Sequence, residues 1–250
     1  MTELRVEVDG GVATLTLDAP DRRNALTEDL CAEIVSAFDA LEADEEVGAV
    51  IVTGAPPAFC AGAELRHLTD ADEVGLRRIY EGFLRVSRSP LPTLAAVNGA
   101  AVGAGVNLAL ACDVRIVAES ARFVPRFLEL GIHPGGGHTW MLQRAIGPQG
   151  TLATAVFADE LDGPEAARVG LAWRCVPDDQ LMVEARRLAE GAAAAPREVA
   201  LRVKQEALAM TEVTTHEEAV DRELEAQLWS LRLPHFKDRL GKLRKRLSNR

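Results

Sequence analysis

The stretch that most restricts this 250-residue chain is VNGAAVGAGVNLALACD, from Val97 to Asp113. Val97-Asn98-Gly99 reads as the end of a buried strand, and GAGVNLALA as the start of a helix made almost wholly of small and apolar residues. Residues this small let a ligand approach the backbone closely. The stretch is too short for a bilayer and carries two asparagines, so it is no membrane span. Nor is it a nucleotide loop. GAAVGAG fits neither GxxxxGK[ST] nor GxGxxG, and no acidic residue follows at the distance of a ribose contact. One residue stands out. Asn107 carries an amide into an apolar helix, where a polar group needs a partner. We expect it to face a pocket in which a ligand satisfies it; the other reading is an amide bonded to neighbouring backbone.

A second loop has the same texture. In VIVTGAPPAFCAGAEL a strand ends and Ala61-Gly62-Ala63 leads into a helix start. Two N–H groups converging from two such loops would stabilise an oxyanion, because they are dipoles aimed in advance. A helix N-terminus adds its partial positive charge.

The remaining pattern fits an α/β core. LRVEVDGGVATLTLDAP predicts two strands around a Gly10-Gly11 turn. LTEDLCAEIVSAFDALEAD predicts a helix capped by Thr27, with Leu30, Ile34, Phe38 and Leu41 on its apolar stripe. VGAVIVTGA, PLPTLAAVNG, DVRIVAES and ARFV read as further strands, and strands alternating with helices argue for α/β. From about Pro148 onward the segments through Trp173 and Val176 to Leu231 read as helical, punctuated by Gly and Pro. Between the two loops, Leu76, Ile79, Tyr80, Phe83 and Leu84 form an apolar face that either contacts a ligand or packs on the core. Trp140 and Trp229 are expected as core anchors.

The formal charge of −10, from 38 acidic and 28 basic residues, argues against a nucleic-acid partner. The basic terminal stretch PHFKDRLGKLRKRLSNR is either a solvated or oligomer-contacting helix or a patch reaching an anionic ligand's phosphate. The four cysteines form no CxxC pair and read as reduced. The start lacks a signal peptide's basic and apolar runs, so a cytoplasmic protein is expected. The histidines show no HExxH spacing, and no metal site is expected.

Taken together, RRNAL (Arg22 to Leu26), AFCAGAEL (Ala58 to Leu65), VNGAAVGAGVNLALACDVRI (Val97 to Ile116) and ELGIHPGGG (Glu129 to Gly137) resemble the crotonase superfamily, the enoyl-CoA hydratase/isomerase family, in order and spacing. The resemblance covers most of the chain. It implies a crotonase-like spiral of ββα units as a core over 1–195, then a C-terminal helical oligomerisation region over 196–250, in a homotrimer or homohexamer. It implies no prosthetic group, and a coenzyme A thioester as substrate or ligand, its carbonyl held by the N–H groups of Ala63 and Ala104. Ala61, Gly62 and Gly103 belong to those loops. Arg22 and Arg66 fall where relatives place basic residues near the CoA phosphates or adenine, and each is otherwise an ordinary surface arginine.

The resemblance also implies two carboxylates for hydration, one to activate water and one to protonate carbon. The matching positions hold Asn107 and Phe127. Asn107 can orient a ligand or a water but takes no proton at neutral pH, and Phe127 would dry the pocket. Candidate substitutes are His133, with His138 just beyond it, and Glu129. The latter would face elsewhere if its segment were helical. Three functions follow: an enolate-forming CoA-thioester enzyme with little side-chain proton transfer, such as a decarboxylase; a weak hydratase or isomerase; or an acyl-CoA-binding protein without turnover.

Overall fold

A computed structural model of the chain describes residues 2–64 and 72–248. The chain enters as a hairpin, β1 (Leu4–Asp9) and β2 (Val12–Leu17), with Gly10 and Gly11 both at positive φ in the turn. Thr27 caps α1 (Glu28–Ala43), its hydroxyl accepting from Leu30 N at 3.0 Å, and Leu30, Ile34, Phe38 and Leu41 are buried as the period of the sequence predicts.

The strands that follow then alternate between two sheets. β3 (Ala49–Gly54) joins the first sheet and β4 (Ala58–Cys60) the second. After α2 (Glu73–Ser87), β5 (Thr93–Val97) returns to the first sheet and β6 (Ala100–Val102) to the second. After α3 (Ala104–Ala111), β7 (Val114–Ala118) and β8 (Arg122–Val124) repeat the step. This is the α/β crotonase-like spiral of ββα units. With β9 (Leu161–Asp162) and β10 (Arg174–Val176) added, the larger sheet has the order β1-β2-β3-β5-β7-β10 and is parallel from β2 onward; the smaller has the order β4-β6-β8-β9.

The larger sheet's core follows from period-two alternation. Ile51, Leu94, Ala96, Ile116 and Ala118 share one face, and Leu181, Ala185 and Ala189 of α6 (Leu181–Ala193) cover it at helical spacing. Each large side chain buried there contributes on the order of 1.5–3 kcal/mol.

Two expectations are corrected. The stretch from Thr151 to Val176 is not helical throughout. α4 (His138–Ala155) and α5 (Gly163–Arg168) are separated by β9 (Leu161–Asp162), and β10 (Arg174–Val176) follows. Three residues are too few to display a strand period, and β10 exists because it pairs in parallel with Ile116–Ala118. Trp140 and Trp229 are not core anchors: Trp140 is 58% exposed beneath the Arg144 guanidinium, and Trp229 is half-buried beneath that of Arg202.

The chain divides into two compact units, one ending at Ala194 and one beginning at Ala195. The second contains α7 (Arg197–Ala209), α8 (His216–Leu231) and α9 (Pro234–Ser248). Within it Arg202 lies 3.5 Å from Glu225 and over the Trp229 ring. No helix among the described residues is long and apolar enough to cross a membrane.

Candidate active site

The site begins where the smaller sheet ends. β4 and β6 pair in parallel, so the segments leaving them, 61–63 and 103–104, run side by side. Gly62 makes the contact: at φ +90° it bears no side chain, and a Cβ there would lie 2.5 Å from Val102 O and 3.4 Å from Ala104 N. The other edge of the first loop is held by the segment before α1. Leu26 N donates to Gly62 O at 2.7 Å and Glu64 N to Leu26 O at 3.0 Å. Asn24, to which the sequence reading gives no role, is fully buried beneath this segment. Its Oδ1 accepts from Ala19 N at 3.0 Å, and its Nδ2 donates to Ala55 O and Ala58 O, both at 2.8 Å.

Leu26 and Ala63 form a parallel bridge, and in that geometry the N–H of Ala63 points away from Leu26. It has no hydrogen-bond partner among the described residues. Ala104 is the first residue of α3, and its N–H is one of the donors a helix leaves unpaired; it too lacks a partner among the described residues. Gly103 N, by contrast, donates to Val124 O at 3.0 Å. Two unpaired donors therefore sit on adjacent backbones at a helix N-terminus.

Ala63 and Ala104 both line a cavity of about 850 Å³, of the size that holds a small ligand. Arg22, Ala61, Gly62, Ala63, Gly103, Ala104, Asn107, Phe127, Glu129 and His133 all line it. Arg66 lies outside the described residues, as do His67 and the helix start expected directly after Ala63.

Asn107 is 1% exposed, and its amide is satisfied from within the protein rather than waiting for a ligand. Nδ2 donates to Gly135 O at 3.0 Å, and Oδ1 lies 2.6 Å from His138 Nδ1. A carbonyl only accepts, which fixes Nδ2 opposite Gly135; Oδ1 then faces a protonated Nδ1. His138 is therefore the Nδ1–H tautomer, and its Nε2 is buried without a partner among the described residues. Burial pushes its pKa down to about 4, so the ring is neutral. The Phe127 ring meets it edge-on, with centroids 4.9 Å apart. His138 belongs to the wall behind the cavity. The adjacent GIHPGGG loop flags the region, but nothing in sequence pairs residue 138 with residue 107.

The other candidates lie at the rim. The segment around Glu129 is a turn rather than a helix, so Glu129 does reach the cavity, where it accepts from Arg126 Nε at 3.0 Å. His133 is exposed, its Nδ1 2.6 Å from Pro134 O. Arg22 is ion-paired with Glu3, and its Nε is buried without a partner among the described residues. No cluster of metal-ligating side chains occurs among the described residues. Burial raises the thiols of Cys31 and Cys60 to about 12, which leaves them inert at neutral pH.

The chain is similar to known proteins in sequence and in fold. The profile of the family described as enoyl-CoA hydratase/isomerase matches residues 7–238. A probable enoyl-CoA hydratase of Mycobacterium tuberculosis, EchA14, is 49% identical over 245 residues, covering 94% of this chain and 95% of that protein. The 1,2-epoxyphenylacetyl-CoA isomerase of Escherichia coli is 33% identical over 228 residues, covering 88% and 87%. Among solved structures, an enoyl-CoA hydratase from Bacillus anthracis superposes with a TM-score of 0.88 at 30% identity, covering 99% of this chain and 97% of that one.

Proposed function

Since the chain belongs to the enoyl-CoA hydratase/isomerase family, we propose that it binds an acyl-CoA thioester with the carbonyl oxygen between the N–H groups of Ala63 and Ala104. The reaction then proceeds through an enolate or a related oxyanion. One observation carries this reading: both donors are unpaired among the described residues and line the same cavity. Enolate charge on the thioester oxygen is stabilised by donors already in place, and a single such donor is worth roughly 10²–10³ in rate.

Efficient hydration does not fit the wall. Water addition needs a base and an acid. Asn107 is held by Gly135 and His138, and Phe127 offers only an apolar ring. Each missing proton transfer costs roughly 10²–10⁴-fold. Chemistry that forms the enolate with little side-chain proton transfer suits the cavity better; loss of carbon dioxide from a malonyl-type thioester is one example. Arg22 serves the CoA end, with Ala61 and Gly62 as the backbone beside it. Glu129 and His133 at the rim supply whatever proton traffic the reaction keeps.

We also read 196–250 as the oligomerisation region of a homotrimer or homohexamer. Val220, Leu224, Leu228 and Leu231 of α8 are each 43–50% exposed at spacings of three and four residues, an apolar stripe suited to another copy.

The test is mass-spectrometric turnover of crotonyl-, 3-enoyl-, malonyl-type and aromatic acyl-CoA, with binding read in the same run. Conversion of a member other than crotonyl-CoA is the expected result. Fast hydration of crotonyl-CoA would overturn the reading of Asn107 and Phe127. Binding of these thioesters without any product would make the chain an acyl-CoA-binding protein instead.

A further inference from the structure

Tyr80 is the only tyrosine in the chain, and it stands on the cavity wall one helical turn from Leu76. Its ring reaches that wall only because Gly135 and Gly136 are glycines. A Cβ on Gly135 would lie 2.1 Å from the Tyr80 hydroxyl, and one on Gly136 would lie 2.4 Å from Phe83 Cζ and 3.2 Å from Tyr80 Cδ1. Phe83 backs the ring, with centroids 5.7 Å apart. Gly135 is also the residue whose carbonyl takes the Asn107 amide. The hydroxyl and the asparagine therefore converge on one residue of the far wall.

Among the described residues lining the cavity, every other polar side chain interacts with another group of the protein. Arg22 is paired with Glu3, and the charge of Glu64 acts on Arg22. Arg126 is paired with Glu129, His133 Nδ1 faces Pro134 O, and Asn107 is held by Gly135 and His138. The Tyr80 hydroxyl makes no hydrogen bond among the described residues, and the half-buried side chain lines the cavity. The fold does not require it, since phenylalanine would fill the same space. A phenol's use beyond its ring is to give or accept a hydrogen bond.

We propose that Tyr80 is a specificity-determining residue whose hydroxyl binds an oxygen atom on the acyl chain beyond the thioester carbonyl, so that the site selects oxygenated short acyl groups over plain alkyl ones. This rests on the acyl-CoA reading above. A site built around a hydrogen bond disfavours the analogue lacking it, because the protein's polar group is then left unpaired.

Three four-carbon thioesters separate the outcomes: butyryl-CoA, acetoacetyl-CoA and succinyl-CoA, titrated by calorimetry into the protein and into Tyr80→Phe. At least one oxygenated member should bind the protein more tightly than butyryl-CoA and weaken about three- to tenfold in Tyr80→Phe, the range of one net hydrogen bond. Butyryl-CoA should be unaffected. Equal changes for all three, or no change for any, would overturn the role of Tyr80 while leaving the acyl-CoA reading intact. If none of the three bound the unaltered protein, the acyl-CoA reading would fall and this inference with it.

Discussion

His138 donates its Nδ1–H to Oδ1 of Asn107 across 2.6 Å, with each side chain only 1% exposed. The pair joins the first turn of α4 to α3, and through Gly135 it fixes the loop between them. Because the amide cannot rotate without losing Gly135, the tautomer of His138 is fixed too.

That fixed neutrality makes stability depend on pH. The ordinary imidazole value is 6.5 and that of folded His138 about 4. The unfolded chain therefore binds a proton that the folded chain refuses between these values. Stability from this group is fully present above pH 6.5 and is lost as pH falls towards 4. The loss is on the order of 3 kcal/mol. Urea denaturation at several pH values should show it, and His138→Gln should remove that part of the pH dependence. An unchanged dependence in His138→Gln would contradict the buried neutral imidazole.

Asn107→Ala should destabilise by more than its lost volume. It leaves Gly135 O and His138 Nδ1–H without partners, each costing about 1–3 kcal/mol when buried. Guanidinium denaturation measures this; a change under about 1 kcal/mol would mean that water or a shifted loop replaces the amide.

Gly62→Ala should separate fold from function. Its Cβ would meet Val102 O at 2.5 Å, at a φ of +90° that strains any side chain, so the loop bearing Ala63 must move away from Ala104. Circular dichroism should remain close to that of the unaltered protein, while turnover of the acyl-CoA substrate falls by roughly 10²-fold or more. Retained turnover would show that the two donors do not act together.

Leu224→Glu combined with Leu228→Glu places two charges in the exposed stripe of α8. Sedimentation should show the proposed trimer or hexamer for the unaltered protein and smaller species for the double variant. An unchanged sedimentation coefficient would contradict a role of this stripe in assembly.

Much of this architecture was legible because local rules and tertiary structure agree. Thr27 before the stripe of α1, and Gly10-Gly11 between alternating strands, are signals that packing only reinforces. The two donor loops were visible as small-residue strand endings, and the family resemblance paired them. What escaped was long-range. β10 owes its existence to a neighbour, β7, rather than to its own three residues. Asn107 reads in the sequence as a polar group in need of a partner, but His138 lies 31 residues away and nothing in composition points to it. The helical angle that turned Glu129 away did not apply, because its segment is a turn.

In the proposed complex a thioester carbonyl sits between the N–H groups of Ala63 and Ala104. Isotope-edited infrared difference spectroscopy of butyryl-CoA labelled at that carbonyl tests it most directly. Two backbone donors polarise the C=O bond, so the carbonyl stretch of the bound thioester should move to lower frequency than in water, and Gly62→Ala should reverse the shift. A bound thioester whose carbonyl stretch matches that of the free molecule would contradict binding of the carbonyl by these two N–H groups.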